Sequence, residues 1–396
     1  MRYIDEFRDP AQAELLIRQI RRTATRRWTI MEVCGGQTHS LLKYAINEGL
    51  EDCVELIHGP GCPVCVTPAS ILDDAIRLAL QPTFVLASFG DMLRVPGSSL
   101  SLHQAQTQGA QVLPVYAPFD AVRYAQQHPQ QEIVFLAVGF ETTAPSTALA
   151  LLEAHRLGIP NFSMIAAHVQ VLPAMHWLMH TTGNVQAFLA AGHVCTVTGY
   201  AAYHSFAAKH SVPIAVAGFE PLDLLHAIHS CVCQLEAGTA NVVNCYTRSA
   251  AEHGNPAAQR LVDQVYETCD RQWRGLGWIA ASGLAIREPY AGFDATRRFA
   301  LPASPAVVSS DPAVSAAASA TAATCETATD DHCRAGEVLA GLLKPAQCPQ
   351  FGHTCTPDHP LGAPMVSSEG ACAAWFRYHP HSQAQAKLLP QIQVSQ

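Results

Sequence analysis

Ile133-Val-Phe-Leu-Ala-Val138 is an unbroken apolar run that stops at Gly139-Phe-Glu-Thr-Thr143. A helix-compatible segment over 144–157 and a second apolar run, Phe162-Ser-Met-Ile-Ala-Ala167, follow it. Short apolar runs that break at glycine and alternate with helical segments describe strands buried on both faces, as in a parallel sheet. The same pattern extends in both directions. Towards the N-terminus lie Trp28-Thr-Ile-Met-Glu-Val-Cys34, Val54-Glu-Leu-Ile-His58, Phe84-Val-Leu-Ala-Ser-Phe89 and Gln111-Val-Leu-Pro-Val-Tyr116. Towards the C-terminus lie His193-Val-Cys-Thr-Val-Thr198 and Ile214-Ala-Val-Ala217. Helices are predicted over 9–27, 68–80, 144–157 and 220–236, with Leu15, Leu16, Ile20 and Thr23 forming one face of the first. Strand–loop–helix units in series give an α/β fold. With about four strands on each side of residue 130, the expectation is two Rossmann-like parallel-sheet domains, 31–130 and 131–236. A smaller, mainly helical domain would occupy 237–396, with the N-terminal helix of 1–30 packed near it.

The 396 residues suffice for several cores. Hydrophobic residues make up 49% and charged residues 14%, a globular composition with a rather apolar surface suited to partner contacts. The net charge is −8 with His neutral, and no basic tract exceeds Arg21-Arg22 and Arg26-Arg27, which argues against nucleic acid. No run of about 18 apolar residues is present, and the charged start lacks a signal-peptide pattern, so neither a membrane span nor secretion is expected. Fourteen cysteines in such a chain point to reduced thiols in the cytoplasm. Residues 303–324 contain 14 Ala or Ser among 22 and read as a flexible insertion. A Gln-rich tail closes the chain.

In open α/β sheets the loops after strand C-termini line the ligand crevice, and the unusual residues gather there. Cys34-Gly-Gly-Gln-Thr-His39 puts a thiol and an imidazole in one loop, able to hold a metal or activate a nucleophile. Its glycines permit close approach of a small ligand. Gly59-Pro-Gly-Cys62-Pro-Val-Cys65 holds a Cys-x-x-Cys pair stiffened by Pro60 and Pro63. Such a pair can close a disulfide, release two electrons or chelate a metal. With no second Cys-x-x-Cys to complete a zinc ribbon, redox use is favoured. Glu141 at a strand end is a candidate acid/base or ligand orienter, unless it and Thr142 or Thr143 only begin the next helix. Gly218-Phe-Glu220-Pro-Leu-Asp223 occupies a similar place later in the chain.

Cys333, Cys348, Cys355 and Cys372 are separated by fourteen, six and sixteen residues. Structural zinc sites use closer pairs, so these intervals fit an iron–sulfur cluster better. Cys325 is an alternative ligand at the edge of the Ala/Ser insertion. Cys53, Cys195, Cys231, Cys233, Cys245 and Cys269 read as packing residues.

Together these motifs resemble the HypD family, the maturation proteins of [NiFe]-hydrogenases. The resemblance rests on Met31-Glu-Val-Cys-Gly-Gly36, His58-Gly-Pro-Gly-Cys-Pro-Val-Cys65, Phe89-Gly-Asp-Met-Leu-Arg-Val-Pro-Gly97 and Gly139-Phe-Glu-Thr-Thr143. It continues through Ala217-Gly-Phe-Glu-Pro-Leu-Asp-Leu-Leu225, Trp273-Arg-Gly-Leu-Gly277 and Met365-Val-Ser-Ser-Glu-Gly-Ala-Cys-Ala-Ala374. It implies a scaffold that helps to build an Fe(CN)2CO unit, rather than a conventional turnover enzyme. The expected partners are a HypC-type chaperone and a HypE-type cyanide donor, with the hydrogenase large subunit involved indirectly. On that model Cys34 ligates the nascent iron, Cys62 and Cys65 are a redox pair, and Cys333, Cys348, Cys355 and Cys372 hold a [4Fe–4S] cluster. The site would be the cleft where Cys34, His39, Cys62, Cys65 and Glu141 converge. Two positions depart from the family. Gln37 stands where a His is usual; it can hydrogen-bond a cyanide nitrogen but cannot carry a proton. Cys333-Arg-Ala-Gly336 stands where Cys-x-Cys-Gly is common, leaving Cys333 as the first cluster ligand. A cluster-driven thiol–disulfide reductase and a non-redox interaction protein with structural zinc are the competing readings.

Overall fold

Backbone pairing of the apolar runs produces two separate sheets, seen in a computed structural model that describes residues 4–302 and 333–378. The Ala/Ser insertion, Cys325 and the Gln-rich tail lie outside the described residues. The first sheet has the order β2-β1-β7-β8-β9, formed by Val54–His58, Trp28–Glu32, Ala187–Ala191, Ile214–Ala217 and Val242–Asn244. The second has the order β4-β3-β5-β6, formed by Val112–Val115, Phe84–Phe89, Glu132–Gly139 and Phe162–His168. All pairings in both are parallel. The fold class is therefore the expected one, α/β with two Rossmann-like parallel sheets.

The division of the chain differs from the expectation. The strands do not part at residue 130: β5 pairs β3, and β7 returns to pair β1. The chain starts the first sheet, builds the whole second sheet, and then comes back to finish the first. Apolar periodicity reports that a segment is a strand; only the partner's backbone decides which sheet it joins. A continuous core runs between the sheets, including Met31, Val33, Phe140, Phe188 and Val216.

The N-terminal helix is Pro10–Thr23, started by Pro10 and by the Asp9 carboxylate, which accepts from the amides of Ala11 and Gln12. Its buried Leu16 and Ile20 pack with Leu222, Leu225 and Ile228 of the helix Pro221–Ala237. It belongs to the first sheet, not to the C-terminal unit. The Glu236 carboxylate accepts from Thr25 N and Trp28 Nε1 at 2.7 and 2.6 Å, which holds the chain extended after Thr23.

His193–Thr198, expected as a strand, lies in the helix Gly192–Thr198. The strand there is β7, whose five residues are all buried between β1 and β8. A β-branched run lost to tertiary context: small alanines fit the crowded central position, and Gly192 turns the chain where a Cβ would lie 2.5 Å from Ala217 O.

Residues 237–302 do not form part of a helical third domain. Val242–Asn244 is the edge of the first sheet. An antiparallel hairpin, Tyr266–Trp273 (β10) and Gly277–Ile286 (β11), bonds to the loop after β6 through Gln170 N and Ser282 O. The remaining described unit, 333–378, is small and helical, with Ala335–Leu339, Ala371–Tyr378 and short 3-10 turns around Phe351, Cys355, Met365 and Trp375.

Phe135 of β5 is fully buried and meets Phe89 edge-on at 5.4 Å. Phe135→Ala is expected to cost about 3–5 kcal/mol, read as a lower urea midpoint.

Candidate functional site

In the first sheet the chain leaves β1 to one side for β2 and to the other for β7. This is a topological switch point, where the loops after adjacent strands diverge and leave a crevice. Cys34 follows β1 and His193 follows β7, so the crevice opens between them. The Cys34 Sγ lies 3.6 Å from His193 Nε2. Burial holds His193 neutral, with its pKa lowered to about 4. Burial also pushes the Cys34 thiol up, and the nearby carboxylates of Glu32 and Glu369 push in the same direction.

Glycines let three segments close on this thiol. A Cβ on Gly61 would lie 2.2 Å from Cys34 N, so the Cys-x-x-Cys loop can rest on the Cys34 backbone. Gly35 N donates to Gly61 O at 2.9 Å. A Cβ on Gly35 would lie 2.2 Å from Glu369 O, and one on Gly36 would lie 3.0 Å from the Phe219 ring. Phe219 also packs on His193, with ring centroids 5.1 Å apart. On its other side it borders an open pocket with Glu220, Tyr246, Arg248 and Ser249.

Cys62 and Cys65 are joined as a disulfide, with Cα atoms 5.2 Å apart. Cys62 caps the one-turn helix Pro63–Val66 and Cys65 lies within it; the helix packs on the 3-10 turn Ala363–Met365 of the C-terminal unit, and Gly61 just before it rests on the Cys34 backbone. Arg274, at the hairpin turn, donates from its backbone to Val66 O at 2.7 Å and from its guanidinium to Pro96 O at 2.8 Å. Burial lowers its pKa, while the Cys333 thiol acts in the opposite direction.

Cys333, Cys348, Cys355 and Cys372 line one small pocket, walled by Val338, Phe351, Leu361 and Met365. The Cys372 thiol is pushed well up, by burial first and then by Cys333, Cys355 and Cys348. Among the described residues, no three His, Cys, Asp or Glu side chains are placed to hold a single metal ion. Four thiols spread around an apolar-walled cavity form a donor set compatible with a polynuclear iron–sulfur cluster.

His39 and Glu141 lie apart from the thiol. His39 Nε2 pairs with Tyr378 Oη at 2.9 Å, so the imidazole beside Cys34 is His193. Glu141 Oε1 accepts from Val171 N at 2.9 Å, and its charge acts on Cys195 and Tyr203. Gln37 also faces away from the thiol; it is buried and donates to Ala190 O and Ala217 O, tying together the ends of β7 and β8.

Glu32 was not singled out in the sequence. It is fully buried at the end of β1. Its carboxylate accepts from Cys34 N at 2.8 Å, from the Thr38 hydroxyl, and from His58 Nδ1 at 2.8 Å. His58 Nε2 in turn accepts from Trp375 Nε1 at 2.6 Å, three residues beyond Cys372. This hydrogen-bonded line joins the C-terminal helix to the Cys34 backbone. Charged residues at the end of an apolar strand were the available signal for Glu32. For His193 it was the glycine before it.

Thiols gathered at the crevice of a parallel-sheet scaffold and in the unit beside it define an α/β protein with a cysteine-rich site. Comparison with known proteins sharpens this. The HypD model, described as the hydrogenase formation hypA family, matches residues 11–379. The chain is 44% identical to the hydrogenase expression/formation protein HupD of Azotobacter chroococcum mcd 1, over 98% of this chain and 100% of that one. It is 43% identical to the hydrogenase maturation factors HypD of Azotobacter vinelandii and Escherichia coli K12, over 97% and 96% of this chain and 98% of each relative. The chain belongs to the HypD family of hydrogenase maturation factors. Among the described residues no helix is long and apolar enough to cross a membrane.

Burial raises the Glu141 pKa to about 7, above the ordinary carboxylate value. Between pH 4.5 and 7 the folded chain therefore holds a proton that the unfolded chain has released, and stability falls as pH rises through that window. Such a shift corresponds to about 3 kcal/mol. Glu141→Gln is expected to flatten this part of the stability–pH curve in urea unfolding followed from pH 4.5 to 8.

Proposed function

We propose that this chain is the scaffold and electron donor on which an Fe(CN)2CO unit is assembled, working in the cytoplasm with HypC- and HypE-type partners. The observation that carries the reading is the stacking of three thiol groups. The Cys62–Cys65 helix lies between the Cys34 loop and the unit bearing Cys333, Cys348, Cys355 and Cys372. Eleven free cysteines among the described residues suit a reducing compartment.

In this reading Cys34 receives the iron as cargo. A soft thiolate suits low-spin iron that carries cyanide and CO. Cys333, Cys348, Cys355 and Cys372 hold a [4Fe–4S] cluster, which when bound supplies single electrons. Cys62 and Cys65 supply the two-electron chemistry. Releasing cyanide from a thiocyanate carrier breaks an S–C bond. The dithiol provides two electrons and two protons, leaving a carrier thiol, hydrogen cyanide and the Cys62–Cys65 disulfide. The cyanide binds iron after losing its proton. Regenerating the dithiol takes two electrons and two protons. Pro63 and the burial of both sulfurs keep the pair in one geometry and away from bulk thiols.

Cys34→Ala is expected to abolish hydrogenase maturation while leaving about four iron and four acid-labile sulfide per chain, measured with the visible spectrum on anaerobically purified protein. Loss of the cluster in that variant would defeat the assignment of separate roles. Zinc without sulfide in the unsubstituted protein would remove the electron source.

A further inference from the structure

Trp273-Arg-Gly-Leu-Gly277 takes no part in the chemistry assigned to the cysteines above, yet it forms the turn of the hairpin β10–β11 that meets them. Trp273 anchors the turn: it is buried, packs on Phe140 and donates from Nε1 to Ser282 Oγ at 2.8 Å. Beyond it the turn touches the elements that carry two of the thiol groups. Arg274 N donates to Val66 O, one residue after Cys65. Gly275, at a φ of +79°, lies against Gly336, three residues after Cys333; a Cβ on Gly336 would stand 2.3 Å from Gly275 O.

Arg274 brings a cation to this junction. Its guanidinium donates to the neutral Pro96 carbonyl at 2.8 Å. The carboxylate that acts on it, Asp73, is itself engaged by Ser98 N and Ser98 Oγ. Arg334, also near the C-terminal thiols, differs. It is exposed and forked onto the Glu337 carboxylate, so its charge is compensated and screened by water. Arg274 is drawn further from water, and its charge and that of the Cys333 thiolate act on each other.

We propose that Arg274 tunes the C-terminal thiol site, its positive charge making the iron–sulfur cluster held there easier to reduce. The inference rests on the reading of Cys333, Cys348, Cys355 and Cys372 as cluster ligands and adds a residue from outside the ligand set. Four thiolates around a cluster leave net negative charge, and an added electron increases it. A fixed cation in a partly dehydrated setting stabilises the more negative state more, so the midpoint potential rises. The electron comes from an external one-electron reductant. The guanidinium keeps its proton in both states, and no bond to Arg274 forms or breaks. Arg274 is thus a positioning residue that acts through charge, at the point where the hairpin turn joins the Cys62–Cys65 helix to the C-terminal unit.

The test is a mediator titration of anaerobic holoprotein, followed by visible absorbance and electron paramagnetic resonance. Arg274→Gln, which can still donate to Pro96 O, should lower the cluster midpoint by about tenfold in the one-electron equilibrium, or about 59 mV. Circular dichroism and iron and sulfide content should not change. Arg274→Lys restores the charge and should stay close to the unsubstituted midpoint, a rescue that a purely structural role does not predict. Asp73→Asn leaves Arg274 in place and less opposed, and should shift the midpoint the other way; it decides the matter if Arg274→Gln does not fold or hold its iron. An unmoved midpoint in folded Arg274→Gln, or an Arg274→Lys midpoint as low as that of Arg274→Gln, would overturn the inference and leave the cluster reading standing. Where Arg274→Gln fails, an unmoved midpoint in Asp73→Asn would do the same. Unsubstituted protein without iron and sulfide would overturn both.

Discussion

The fully buried carboxylate of Glu32 is the constraint on which the site depends. A charge taken out of water must be surrounded by donors, or it destabilises the fold that buries it. Glu32 meets this with the Cys34 amide, the Thr38 hydroxyl and His58, and His58 is completed by Trp375. These partners come from the loop after β1, from the end of β2 and from the C-terminal helix. The requirement to satisfy one carboxylate therefore sets the position of Cys34 relative to two other parts of the chain. Because the Trp375 indole can only donate, the His58 nitrogen facing it must accept, and the proton lies on the nitrogen facing Glu32.

Close backbone approach complements this network. Gly35 and Gly61 bring Glu369 and the Cys-x-x-Cys loop to distances that any side chain at those positions would forbid. The result is a thiol with almost no exposed surface, reached past Phe219. A buried thiol beside carboxylates is a poor free nucleophile. It is better suited to a cation that replaces its proton, which is why the proposed role is holding iron rather than attacking a substrate.

Much of the architecture was legible locally. Seven of the eight expected strands are present, because each carries a short apolar run that ends at a glycine or polar loop. The eighth, His193–Thr198, failed for the reason that makes it interesting: its β-branched residues follow a glycine at the crevice and turn into a helix that aims His193 at Cys34. The candidate site was half legible. Cys34 and the Cys62–Cys65 pair come together as anticipated, and the four C-terminal cysteines share one cavity. His39, Glu141 and Gln37 turn elsewhere. Proximity in sequence says nothing about which face of a short helix looks into the crevice.

The residues alone determined most of the strands of the two sheets, the fold class, the family resemblance and the candidate thiols, because each depends on a local pattern: apolar runs, glycine breaks and cysteine spacing. Only the tertiary structure decided that β7 pairs β1 across the intervening second sheet, and with it that His193 becomes the neighbour of Cys34. It also placed the N-terminal helix on Pro221–Ala237 and the turn of the hairpin β10–β11 against both the Cys-x-x-Cys helix and the C-terminal unit. Strand partners are chosen by hydrogen bonding and burial between segments more than a hundred residues apart, and no local pattern encodes that choice.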